Sequence, residues 1–528
     1  MRNIVIGLSW PYANSNLHLG HVASSLPADV LARYHRMAGD RVMFVGGTDC
    51  HGNKPADKAR SRGIKPIDVV NEYHQNFREV FDRMSFSFDL YAKTADEEHK
   101  ALVKPFFEKM YENGYIVPRI EMRPFCPKCN KFVQDNQIDI VCPRCGNLTK
   151  ADNCDNCGYV PTEKDMANGK CRECGSTCTL KENKVLVFKL SAFKEKLSNY
   201  LEENRQNWRA NAVGETEKYL KDLQDRDFSR DLEWGIEVPI AGYEDKKVYV
   251  WYEALLGYVT DVIRVCNALG LDWKDFWKQT NSNDRVYMVH AKDNITFHTL
   301  MLPAMLLAMD ENFKLPTHIC SCEYLTNKGE KLSKTKGGFE ALPWVNEYNS
   351  DSLRYYFVSN GPESRDSDWS FELYKNVHNT EVVNKLGNLV SRTLKFKGLE
   401  VLPQGKINQD LKQLVEKTYT ETATYIEKME FRNAISCVMN LVSETNKYYD
   451  EKQPWVAAKQ EDLTEFNNII FTCSYVIANL SVLLQPFMPN TAEKIAEFLE
   501  LGCQTKWQEI TPHAGIKLNI TPLFERIQ

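Results

Sequence analysis

Eight of the sixteen cysteines crowd between Cys126 and Cys174 as four Cys-x-x-Cys pairs: Cys126/Cys129, Cys142/Cys145, Cys154/Cys157 and Cys171/Cys174. One such turn presents two thiolates to a tetrahedral ion, and two turns close its shell. Residues 121–182 around them are rich in Asn, Asp and Gly with little apolar patterning, so something other than a core must hold this stretch. The pattern predicts two all-thiolate zinc sites with no open position, structural rather than catalytic. Spacing alone leaves open which pairs share an ion. Redox-active or unmetallated thiols are the alternative. The N-terminal MRNIVIGLSW reads directly as a strand and not as an export signal, which favours metal ligands over disulfides. Cys178 is an unpaired extra, and the cysteines outside the region read as ordinary buried or semi-buried residues.

The cysteine stretch interrupts a different grammar. IVIGL at 4–8 is a strand, LHLGHVASSLPADVLARYHRMAGD a helix ended by Gly-Asp, and RVMFVGGTDCHG a second strand with small and polar residues at its end. The segment 65–115 reads as helical. After a strand at 185–190, KVYVWYEALLGYVTDVIRV and RVYMVHAKDNITFHTLMLPAMLLAM repeat strand-then-helix, so the first pattern resumes. This predicts an open α/β sheet, whose ligands bind beyond the carboxyl ends of the strands. From about Ser364 the pattern is amphipathic and helical, a bundle. At 528 residues the chain is long enough for three or four domains.

The formal net charge of −5 does not advertise nucleic-acid binding, though a local basic surface is invisible in that sum. The apolar stretch 467–490 is interrupted by polar side chains too often for a bilayer span and reads as a buried helix with a Pro stop.

Two short elements carry chemistry. His18-Leu19-Gly20-His21 opens the first helix, where Gly20 permits close approach and the helix N-terminus favours a phosphate. Far downstream, Lys331-Leu332-Ser333-Lys334 lies in the Gly-flanked NKGEKLSKTKGG, a cationic loop that could close on a triphosphate. Each alone could be a polar surface. Together, in this order, they resemble the HIGH and KMSKS signatures of class I aminoacyl-tRNA synthetases. WPYANSNLHLGH and the cysteine insert resemble the methionyl family specifically.

That resemblance implies a Rossmann-like parallel-sheet catalytic domain, interrupted by a zinc-knuckle connective insert and followed by an all-α anticodon-binding bundle. The implied division is 1–115 and 246–325 for the catalytic halves and 116–245 for the insert, with its knuckles at 121–182. Residues 326–363 form a lysine-loop and stem-contact region, and 364–528 the helical domain. His18, His21, Lys331 and Lys334 would stabilise the departing pyrophosphate by position and charge. Gly20, Lys292 and Asp293 would join them in holding ATP, with Mg2+ on the nucleotide. Methionine would be held by Ser9, Trp10, Tyr12, Asp49, Trp251, Ala254, Tyr258 and His298, with Asp49 on the ammonium and the aromatic faces around the thioether. Asn388, Arg392 and Trp455 would read the anticodon. On the family pattern Cys142/Cys145 pair with Cys154/Cys157, and Cys126/Cys129 with Cys171/Cys174. The chain departs from the family at Glu253-Ala254-Leu255, where Asp-Ala-Pro is common, and at Ala291, where Gly is usual; both lie beside the pocket. The implied partners are methionine, ATP and tRNA(Met), elongator and initiator. A cytoplasmic monomer without membrane contact is expected.

Overall fold

The computed structural model describes the chain except residues 135–136, 152–153, 155, 158, 160, 280, 311 and 332–338 and the side chains of 163, 330 and 331. Five strands form the central sheet: β1 (Asn3–Leu8), β2 (Arg41–Thr48), β3 (Leu90–Lys93), β4 (Arg285–Ala291) and β5 (His318–Cys322). Their order is β5-β4-β1-β2-β3, all parallel. The near-continuous burial of β1, β2, β4 and β5 is what a parallel sheet covered on both faces demands. Strands are added outward from β1 on one side and from β4 on the other, so the carboxyl ends of these two neighbours open a crevice at the topological switch point.

Helix α1 (Leu19–Met37) follows β1 and packs against the sheet, and helix α2 (Val250–Leu269) enters from the short strand Lys247–Val248. The helical reading of 65–115 needs correction. Helices occupy Pro66–Arg83 and Glu97–Glu112, but β3 lies between them as the sheet's edge strand, a four-residue LYAK too short to show a period.

Between β3 and β4 a long antiparallel ribbon, Ile116–Cys126 against Thr179–Phe188, carries the cysteine region outward. Beyond it Ile138–Val141 pairs with Leu148–Lys150 and Lys170–Cys171. The apolar core there is small, built on Val133, Ile138, Ile140, Ala151 and Met166 together with cysteines.

After β5, helix α3 (Ser350–Asn360) leads into the C-terminal helices α4 (Gln409–Glu427), α5 (Phe431–Lys452), α6 (Leu463–Leu483) and α7 (Pro489–Phe498). Helix α6 is long and apolar enough to cross a membrane, yet 89% of its apolar window is buried inside the protein, so it is the core helix of the bundle. The α/β sheet, cysteine insert and helical bundle expected from the sequence are the architecture found. The sheet and the bundle are fastened through α3. Its fully buried Arg354 reaches Asp29 on α1 and the backbone carbonyls of Met84, Pro486 and Phe487.

Candidate active site

A cleft of about 840 Å³ opens at the β1/β4 switch point. Its floor is set by β1 and β2. Ser9 and Trp10 follow β1, and the Ser9 N–H donates to the Val289 carbonyl at 2.9 Å, tying the turn to β4. Asp49 follows β2, next to Tyr12 by a backbone bridge. Asp49 is 5% exposed and its Oδ1 has no hydrogen-bond partner among the described residues. Burial, and then the nearby Glu253, push its carboxyl well above the usual range. A buried carboxyl oxygen without a partner, lining a cleft, can receive an ammonium group.

Helix α2 forms the opposite wall. Trp251, Ala254 and Tyr258 are three and four apart, so they share a face, and all three line the cleft. Trp251 is 41% exposed and packs on Phe297 at 4.3 Å between ring centroids. The buried Tyr258 hydroxyl and His298 Nε2 are 2.8 Å apart, and His298 Nδ1 lies 2.9 Å from the Asn294 carbonyl. With Nδ1–H donating to that carbonyl, Nε2 accepts from the tyrosine. Burial, with the stacked His290 beside it, holds His298 well below its usual pKa, so the ring is neutral.

The polar end of the cleft lies at the N-terminus of α1. The rings of His18 and His21 are 3.8 Å apart between centroids, and the His18 backbone N–H donates to His21 Nδ1 at 3.1 Å. Gly20 lines the cleft beneath them; a Cβ there would sit 2.9 Å from the His18 ring. Asp293, in the turn after β4, also lines it. Lys292 does not: its ammonium is held by Glu323 at 2.7 Å and Asp366 at 2.8 Å beside the cleft. The backbone of Lys331 pairs with Thr326 in a short hairpin. Lys334 falls outside the described residues, as does the Lys331 side chain.

The cysteines fall into two groups, Cys126/Cys129/Cys171/Cys174 and Cys142/Cys145/Cys154/Cys157, each with all sulfurs within 4.8 Å of one another. This is the nested pairing that the resemblance implied. Sulfur separations between the pairs include 3.4 and 4.0 Å in the first group and 3.7 and 3.5 Å in the second. A tetrahedron with metal–sulfur bonds of about 2.3 Å has edges of about 3.8 Å, so both groups fit one zinc each.

The family model for class I tRNA synthetases (M) matches residues 4–394, and that for the anticodon-binding domain of tRNA ligases matches residues 408–520. A methionine–tRNA ligase 1 of Alkaliphilus oremlandii is 40% identical over 532 residues, covering 99% of this chain and 97% of its own. A methionine–tRNA ligase of Bacillus cereus strain B4264 is 39% identical over 534 residues, with the same coverage. The chain belongs to the methionyl-tRNA synthetases. The fold agrees: a methionyl-tRNA synthetase of Mycobacterium tuberculosis, solved with methionyl-adenylate, superposes with a TM-score of 0.82 at 22% identity over 99% of this chain and 100% of that one.

In this synthetase the cleft gathers Ser9, Trp10, Tyr12, His18, Gly20, His21, Asp49, Trp251, Ala254, Tyr258, Asp293 and His298. Sequence reasoning missed the glycines that make the room. A Cβ on Gly47 or Gly257 would drive into opposite parts of the Trp10 indole, and one on Gly7 would meet the Tyr258 ring and Met288 at 2.8 Å. The signal was present in Gly257, a glycine inside an apolar helical pattern, which calls for a packing reason. Gln134, from the insert, also reaches the cleft, where Asn53 Nδ2 donates to it at 3.0 Å.

On the bundle, Arg392 bonds to Asp450 and the Asn446 carbonyl at 2.7 and 2.6 Å and lies 4.3 Å over the Tyr449 ring. Trp455, 46% exposed, packs 6.1 Å from the same tyrosine. Asn388 is exposed one turn before Arg392. Arg392 and Trp455 thus share one surface.

Proposed function

We propose that this cleft carries out both steps of methionine–tRNA ligation. In the first, a carboxylate oxygen of methionine attacks the ATP α-phosphorus, the bond to the bridging oxygen breaks, and pyrophosphate leaves methionyl-adenylate behind. In the second, the terminal adenosine hydroxyl of tRNA(Met) attacks the activated carbonyl and AMP leaves. The observation that carries this reading is that one cleft holds both the buried Asp49 carboxyl, whose Oδ1 has no partner among the described residues, and the His18/His21 pair on the α1 N-terminus. The Trp251–Ala254–Tyr258 face, lining the same cleft, offers an apolar slot.

Each residue then has a task. Asp49 receives the ammonium; Trp10, Trp251, Ala254, Tyr258 and the neutral His298 enclose the thioether; Ser9 and Tyr12 close the strand end. His18, Gly20, His21 and Asp293 hold the nucleotide, and Lys331 and Lys334 neutralise charge on the departing phosphates. Lys292 enters this role only on leaving its two carboxylates. Magnesium accompanies the triphosphate as its counterion. Zinc in the two thiolate groups fastens the insert and takes no part in bond making. Asn388, Arg392 and Trp455 receive anticodon bases, the tRNA being elongator or initiator, and the enzyme works in the cytoplasm as a monomer.

The closed four-sulfur groups weigh against the cysteinyl alternative, where the metal reads the substrate. A non-catalytic tRNA binder would have no use for the cleft. Amino-acid-dependent ATP–pyrophosphate exchange with all twenty amino acids decides the matter. Exchange with methionine alone is expected. Exchange with another amino acid sinks the pocket assignment, and none at all moves the weight to the tRNA-binding reading.

A further inference from the structure

The buried Glu253 has no part in the reaction as described. It is fully buried on α2, between Trp251 and Ala254, and its Oε1 lies 2.8 Å from His51 Nδ1. His51, also fully buried, stands two residues after Asp49 in the loop that leaves β2. The His51 ring packs edge-on against Trp234 at 5.0 Å, whose indole N–H donates to the Cys50 carbonyl at 2.8 Å. The Gly52 N–H returns a bond to the Trp234 carbonyl at 3.1 Å.

The loop holding Asp49 is therefore gripped from two sides, and on the α2 side the grip is the Glu253–His51 bond. The same turn of α2 carries the apolar wall. One buried hydrogen bond thus spans the two halves of the pocket: the carboxyl that would take the ammonium, and the face that would take the side chain. We infer that Glu253 is a positioning and specificity-determining residue, which through His51 sets the separation between Asp49 and the Trp251–Ala254–Tyr258 face and so the side-chain length the pocket accepts. The inference rests on the proposed methionine pocket. A pocket in an apolar slot discriminates a single methylene only modestly, so a fixed distance between its two ends is where further selectivity has to come from.

The test measures methionine- and ethionine-dependent ATP–pyrophosphate exchange, ethionine being one methylene longer, with wild type, Glu253→Ala, Glu253→Gln, His51→Ala and the Glu253→Ala/His51→Ala double variant. Rates are normalised to active sites by adenylate burst. Expected is a rise in methionine KM of tenfold or more for Glu253→Ala, kcat within about threefold, and a fall of at least fivefold in the preference for methionine over ethionine. Glu253→Gln, which keeps an acceptor oxygen, shows the same changes to a smaller degree. His51→Ala gives the same split, and the double variant is no worse than either single one. If Glu253→Ala does not fold, His51→Ala breaks the same bond from the other end and carries the test. Loss of kcat or active sites with the methionine preference unchanged overturns the inference, as does additivity in the double variant. Absence of methionine-dependent exchange in the wild type instead overturns the pocket itself.

Discussion

Arg354 and Asp29 meet at 2.6 Å with both side chains fully buried, one on the helix after the sheet and the other on the helix after β1. The pair closes the seam between the catalytic sheet and the bundle, since Arg354 also caps the Met84, Pro486 and Phe487 carbonyls. Burial alone would raise the Asp29 pKa, but Arg33, Arg354 and the bonds from Ser87 hold it at about 2 against an ordinary 3.8. A depressed carboxyl contributes stability that is present above its unfolded value and lost as pH falls through its folded one. Asp29 therefore contributes about 2 kcal/mol above pH 4, lost between about pH 4 and pH 2. Arg354→Met leaves a buried carboxyl short of its partner and is expected to cost about 3–5 kcal/mol in urea unfolding at pH 7. That deficit should shrink as the pH is lowered through the same window.

The Trp10 indole is wedged between Gly47 and Gly257. Gly257→Ala gains helix propensity yet pushes a methyl into the ring. The displaced indole should raise methionine KM at least tenfold and cost about 1–3 kcal/mol of stability by overpacking. Steady-state exchange kinetics and a thermal melt read both; a stabilised variant with unchanged KM would show that Trp10 has room to move.

Tyr258→Phe removes the donor to His298 Nε2 and leaves a buried ring nitrogen unpaired. The loss is about 1–3 kcal/mol, divided between methionine binding and stability. Isothermal titration with methionine, alongside unfolding, apportions it.

Two zinc ions per chain are expected by elemental analysis, and one in Cys142→Ser, with the remaining ion in the Cys126/Cys129/Cys171/Cys174 group. Because none of the four cysteines of this group lines the cleft, this variant should retain methionine-dependent exchange within about threefold while losing proteolytic resistance around the pair Ile138–Val141 and Leu148–Lys150. Full loss of exchange would place that zinc in the chemistry.

Trp455→Ala removes an exposed aromatic platform. At about 1–3 kcal/mol per stacked base, tRNA charging efficiency should fall roughly 5- to 150-fold while exchange, which needs no tRNA, is untouched. Equal loss in both assays would mean a packing role beside Tyr449.

Much of this protein was legible because its signals are local. The cysteine turns, the His18–His21 helix start and the strand-helix alternation each lie within a few residues, where periodicity and turn chemistry act directly. Strand β3 was not legible, since four residues carry no period and their pairing with β2 is a contact between distant segments. The resting partners of Lys292 were equally hidden: Glu323 and Asp366 lie far from it in the chain.

By itself, then, the sequence determined most of the elements that form, where the paired cysteines stand and which family grammar the chain follows, because backbone propensity and side-chain spacing are properties of neighbours. Only the tertiary structure decided that Gly47 and Gly257 flank one indole, that Glu253 answers His51 across the pocket, and that Arg354 locks the bundle to the sheet. Those relations come from close packing and from the need to pair every buried polar group, and both are settled by segments brought together from across the whole chain.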